Sequence, residues 1–103
     1  MRFYIASPLF TNEEKTRIIE VSTYLRSLGY EVYSPMEHNI PNAWNLSNSE
    51  WAKSVFDEDV KELDKSDKVI IIYDGIYSDT GTAWEVGYAY ARGKEIYVLC
   101  TKS

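Results

Sequence analysis

Lys68–Tyr88 reads KVIIIYDGIYSDTGTAWEVGY, and its opening run decides the fold. Val69-Ile70-Ile71-Ile72 is apolar without alternation, which is how a strand reads when both of its faces are covered in a parallel sheet. Just past it, the carboxylates Asp74, Asp79 and Glu85 are spread around Gly75 and Gly81. Ligands of open α/β sheets bind outside the carboxyl ends of the strands, so acidic groups gathered there are candidates for chemistry. Glu85 has two readings at this level. A glutamate in the first turn of the next helix, beside a loop aspartate, builds a nucleophile with an orienting partner. Thr82-Ala83-Trp84-Glu85 is also a capping box, in which hydroxyl and carboxylate satisfy N–H groups at a helix start. The same spacing recurs at Thr11–Glu14 and Ser47–Glu50.

Outward from this stretch the elements alternate. Arg2–Ser7 reads as a first strand, followed by a break at Pro8 and an N-cap at Thr11. Asn12–Leu28 is then a helix with Ile18, Val21, Leu25 and Leu28 along one stripe, stopped by Gly29. Glu31–Tyr33 is a short second strand. Ser34–Leu46, with Pro35, Pro41 and three asparagines, has no periodicity and reads as a functional loop. A second helix spans Asn48–Ser66, the Lys68–Tyr73 strand follows, and a helix over Thr82–Arg92 is closed by Gly93. Glu95–Cys100 is the last strand. This βαβαβαβ order predicts one domain over residues 1–103. Its fold is an open parallel sheet of the flavodoxin or Rossmann-like kind, strand order 2-1-3-4, with helices on both faces and a crevice between strands one and three.

Composition narrows the function. The chain has 103 residues, one cysteine, one histidine and a formal net charge of −5. A single cysteine excludes an internal disulfide framework, and His38 alone cannot assemble a zinc site of the usual kind. The acidic balance argues against a polynucleotide partner, though not against a single nucleoside. No apolar run reaches membrane-spanning length and no signal-peptide pattern opens the chain, so a cytoplasmic protein is expected. Nine tyrosines and three tryptophans supply rings for a core, for stacking on a base or for a subunit interface.

The second helix carries an anomaly. Asp59 sits among Ala52, Val55, Phe56, Val60 and Leu63 at helical spacing, whereas Asp57, Glu58 and Glu62 can face water. A carboxylate on the core side is costly unless it is paired or lines a cavity, and the alternative is a solvated position at the edge of the stripe. Gly75, Gly81 and Gly87 lack both the spacing of a dinucleotide fingerprint and a P-loop lysine.

Taken together, Tyr4-Ile5-Ala6-Ser7-Pro8-Leu9-Phe10, Asp59, Asp79-Thr80-Gly81-Thr82-Ala83-Trp84-Glu85-Val86-Gly87-Tyr88 and Gly93-Lys94 resemble the nucleoside 2-deoxyribosyltransferase family over nearly the whole chain. The resemblance implies that Glu85 attacks the anomeric carbon of a 2′-deoxynucleoside and that Tyr4 hydrogen-bonds its carboxylate. Asp59 and Asp79 would position the nucleoside and assist departure of the base. Substrate contacts would come from Ser7, Pro8 and Phe10, from His38 and Asn39 near Glu37, and from Asp74, Gly81 and Thr82. It implies a deoxynucleoside and a free nucleobase as partners, and at least a homodimer. Longer members continue past the last strand with an asparagine and a C-terminal tyrosine that complete a neighbour's site. This sequence ends at Ser103, so those contacts are expected to be missing.

The chemistry fits these residue types. Breaking an N-glycosidic bond develops oxocarbenium character that a carboxylate stabilises and then captures as a covalent ester, while an acid protonates the base. No cofactor or metal is required. A helix N-terminus would favour ionised Glu85, and neighbouring carboxylates would leave Asp59 or Asp79 to hold the proton. Attack by a second base completes a transfer; attack by water makes a hydrolase. Relatives that hydrolyse nucleotide 5′-monophosphates hold phosphate with serines and basic residues. Ser7 and Ser78 are available here but Pro8-Leu9-Phe10 offers no arginine, which ranks that reading second. A non-catalytic nucleotide-binding module is the third.

Overall fold

The computed structural model describes residues 1–9, 11–34, 36, 47–73 and 80–101. The elements are β1 (Arg2–Ala6), α1 (Asn12–Ser27), β2 (Glu31–Tyr33), α2 (Asn48–Lys65), β3 (Lys68–Tyr73), α3 (Thr80–Ala91) and β4 (Glu95–Cys100). The strands form one sheet in the order β2-β1-β3-β4. Every pairing is parallel, with Tyr4 opposite Tyr33 on one side of β1 and opposite Val69 on the other. The expected architecture is therefore the observed one.

Handedness distributes the helices. The step from β1 to β2 runs across the sheet in the opposite direction to the steps into β3 and β4, and right-handed crossovers then put α1 on one face and α2 and α3 on the other. Strand alternation splits the core accordingly. Phe3 and Ile5 of β1 join Ile18 and Leu25 of α1, with Val32 and Ile72. Tyr4 and Ala6 point the other way, to Tyr33, Leu63 of α2, Val69 and Ala89 of α3. The unbroken apolar reading of β3 follows from serving both clusters. Burying a side chain such as Ile18 or Leu63 contributes roughly 1.5–3 kcal/mol.

Helix ends are written in the sequence. Thr11 and Glu14, and Ser47 and Glu50, form reciprocal capping boxes. α1 and α3 both close in Schellman motifs: Gly29 N–H donates to Arg26 and Tyr30 N–H to Leu25, while Gly93 N–H donates to Tyr90 and Lys94 N–H to Ala89. Gly29 at φ 89° and Gly93 at φ 76° occupy the left-handed positions these motifs need.

Three expectations change. Leu28 is the C-cap of α1 and is exposed, so the buried stripe is Ile18, Ser22 and Leu25, with half-buried Val21 packed against the same cluster as expected. Phe56 is half exposed and meets Trp84 of α3 instead of the core, with ring centroids 4.9 Å apart. α3 starts at Thr80, two residues before the expected Thr82 and three before the Ala83 that the capping-box reading requires. Among the described residues, no helix is long and apolar enough to cross a membrane.

Candidate active site

The early start of α3 removes the capping-box reading of Glu85. With Thr80 as the first helical residue, Thr82 and Glu85 both lie inside the helix, and Glu85 is in its second turn. Thr82 is therefore not an N-cap, and Glu85 cannot close a capping box around it. The argument that the helix N-terminus ionises Glu85 weakens for the same reason, because that effect fades beyond the first turn. Thr82, Glu85 and Ala89 instead form the buried stripe of α3, at the i, i+3 and i+7 spacing of one helix face.

What Glu85 meets there is Tyr4. The Tyr4 hydroxyl donates a hydrogen bond to Glu85 Oε2. Tyr4 lies on β1, whose neighbours β2 and β3 are reached by crossovers of opposite direction, so the pair sits at the topological switch of the sheet. Tyr4 is 0% exposed and Glu85 7%, so the bond is shielded from water and worth more than its exposed equivalent.

Asp59 joins them from α2. It is 6% exposed and heads the buried stripe that continues through Leu63 and Ser66, which settles its position as core-facing, not an edge. Leu63, one turn on, packs against Tyr4. The Tyr4 phenol is pushed far above its usual pKa, first by burial and then by the charges of Glu85 and Asp59, with the hydrogen bond to Glu85 and a smaller contribution from Tyr33. The phenol thus stays a proton donor, and β1, α2 and α3 each deliver one polar side chain to the same buried cluster.

The remaining expected residues fall as follows. Ser7 is buried just past β1 and its Oγ donates to Pro8 O at 3.0 Å. Pro8 and Gly81 are partly exposed, and Thr82 is buried. Phe10, Glu37, His38, Asn39, Asp74 and Asp79 lie outside the described residues. One residue of the cluster had not been singled out. Tyr33, the last residue of β2, is buried and stacks on Tyr4, with centroids 5.5 Å apart and rings inclined at 28°. The strand order puts the second strand beside the first, and the register of the two sets Tyr33 against Tyr4.

Fold and site together define a buried, carboxylate-bearing cluster at the switch point of a doubly wound parallel sheet. The profile of the nucleoside 2-deoxyribosyltransferase family matches residues 3–103, and the chain belongs to that family, whose members act on nucleosides. Among solved structures, it is similar to the 2-deoxyribosyltransferase of Bacillus psychrosaccharolyticus, with 33% identity and a TM-score of 0.89 over 100% of this chain and 74% of that one. A conserved protein from Enterococcus faecalis matches at 28% identity and a TM-score of 0.83, over 99% of this chain and 64% of its own. The CMP N-glycosidase BcmB of Clostridium botulinum matches at 26% identity and a TM-score of 0.68, over 97% and 71%. Comparison with curated protein sequences gives no match.

Proposed function

We propose that this protein is a nucleoside 2-deoxyribosyltransferase that cleaves the N-glycosidic bond of a 2′-deoxynucleoside and passes the sugar to another base. The observation that carries the proposal is the buried Glu85 carboxylate held by the Tyr4 hydroxyl inside this family's fold. In the first step Glu85 attacks C1′, the C1′–N bond breaks with its electron pair leaving on the base, and the base takes a proton from Asp59 or Asp79. In the second step a ring nitrogen of the incoming base attacks C1′ while its proton passes to the aspartate that gave one up, and the ester bond breaks with its electrons returning to Glu85 as carboxylate. The Tyr4 hydrogen bond orients Glu85 and stabilises the charge restored to it on release. Ser7, Pro8, Phe10, His38, Asn39, Asp74, Gly81 and Thr82 are the proposed surroundings of the substrate. The cycle needs no cofactor.

The test is to incubate the protein with thymidine or deoxyadenosine, with and without a free acceptor base, and to separate the products. A new nucleoside demonstrates transfer, free deoxyribose with free base demonstrates hydrolysis, and no base release refutes the proposal. Hydrolysis of nucleoside 5′-monophosphates is the second reading, favoured by the similarity to a CMP N-glycosidase. A parallel incubation with CMP and dCMP separates it from the first.

A further inference from the structure

Tyr33 belongs to none of the roles assigned above, yet three observations tie it to the Tyr4–Glu85 pair. It is the register partner of Tyr4 across the β1–β2 ladder. Its ring stacks on that of Tyr4 at 5.5 Å. Both rings are buried in the cluster closed by Leu63, Val69 and Ala89. The terminal torsion of a tyrosine is broad and two-fold in preference, so a neighbouring ring can narrow its angle. Turning the Tyr4 ring about that torsion leaves the hydroxyl oxygen in place, since it lies on the rotation axis, but it turns the O–H bond, which conjugation holds near the ring plane, so the ring angle sets whether the proton is aimed at Glu85 Oε2. Leu63, Val69 and Ala89 fill space around Tyr4, and the face of Tyr33, inclined at 28° to it, lies along the ring and opposes its rotation.

We propose that Tyr33 is a positioning residue for the reaction, its ring fixing the plane of Tyr4 so that the Tyr4 O–H stays aimed at Glu85. This inference rests on the function proposed above. Tyr33 acts through its ring face, so Tyr33→Phe should preserve function, whereas Tyr33→Met keeps apolar volume with a flexible chain and loses the stack.

The tests separate positioning from packing. Tyr33→Phe should keep kcat and KM within about twofold of the parent for base release, while Tyr33→Met should lower kcat about tenfold with KM little changed, the pattern of a lost transition-state interaction. In a Tyr4→Phe background, Tyr33→Met should cost nothing further in kcat, because the hydroxyl it positions is gone. Equal losses in both backgrounds would overturn the proposal, as would a kcat loss in Tyr33→Phe. That last variant keeps the question open to test even if Tyr33→Met does not fold. An activity-independent readout distinguishes failure of this inference from failure of the proposed function. The Cζ resonance of labelled Tyr4 should stay in its protonated form at high pH in the parent and in Tyr33→Phe, but titrate lower in Tyr33→Met as water reaches a loosened ring. If the parent releases no base, this titration still decides whether Tyr33 holds Tyr4; an unchanged Tyr4 titration in Tyr33→Met overturns it.

Discussion

Tyr4→Phe isolates one atom at the centre of the site. The ring, its stack on Tyr33 and its contacts with Leu63 and Ala89 remain, so no cavity of consequence opens and the change is confined to the bond to Glu85. A hydrogen bond to a charged group contributes about 1.5–3 kcal/mol, and one whose partners are this thoroughly buried belongs toward the upper part of that range. Loss of the donor leaves a buried carboxylate less well satisfied, so the variant should be destabilised by about 2 kcal/mol. For a domain of this size that is a fall in Tm of about 10 °C. If Tyr4 orients Glu85 and stabilises its returning charge, the same energy removed from the transition state slows base release about 10- to 100-fold. The acid limb of the pH–rate profile should also move to higher pH, because a hydrogen bond to a carboxylate favours its ionised form. Urea unfolding and initial rates of base release from pH 4 to 9 would measure all three, the pH range spanning the ordinary carboxylate values. Parental stability together with a parental pH–rate profile would refute the argument that this bond serves the site.

Glu85→Gln should fold with little loss of stability, since Glu85 is not a cap, and should lose nearly all base release because an amide cannot form the ester; parental turnover in this variant would exclude Glu85 as nucleophile. Tyr4 contributes stability that is fully present below the ordinary phenol pKa of about 10 and is lost as pH rises above it, because the unfolded chain ionises there while the folded one holds its proton. Stability should then fall by about 1.4 kcal/mol per pH unit from this group alone, a slope that urea titrations at alkaline pH should lose in Tyr4→Phe. Gly93→Ala should cost about 1–2 kcal/mol in urea unfolding, since the added methyl meets no atom within 4 Å and only the backbone at φ 76° opposes it. Light scattering should report at least a dimer, as exposed Trp51 and Tyr90 and the family resemblance suggest; a monodisperse monomer that cleaves deoxynucleosides would refute a shared site.

The sheet was legible because its determinants are local and additive. An apolar run at Val69–Ile72, capping boxes at Thr11 and Ser47, and glycines at 29 and 93 each act within a few residues, and the crossover rule converts their order into 2-1-3-4. Glu85 was not legible in the same way. The capping-box spacing of Thr82 and Glu85 is indistinguishable in sequence from the two boxes that do form, and what separates them is where α3 begins. A helix start three residues earlier turns the same four residues from a cap into part of a buried face. Asp59 was ambiguous for a related reason, since its stripe could be rotated slightly and leave it in water. Packing fixes that rotation: Leu63 fits beneath Tyr4, and with Leu63 inward the residue one turn earlier must be inward too. Tyr33 needed a further step, the register of β2 on β1, which no local pattern encodes. The polar members of the cluster were thus recognisable as unusual one at a time, while their convergence depends on three separate packing decisions. Two carboxylates buried on α2 and on α3 near one phenol carry a desolvation cost that apolar residues in the same places would not. That cost is the physical reason to look for catalysis at Tyr4, Asp59 and Glu85 before anywhere else in the described chain.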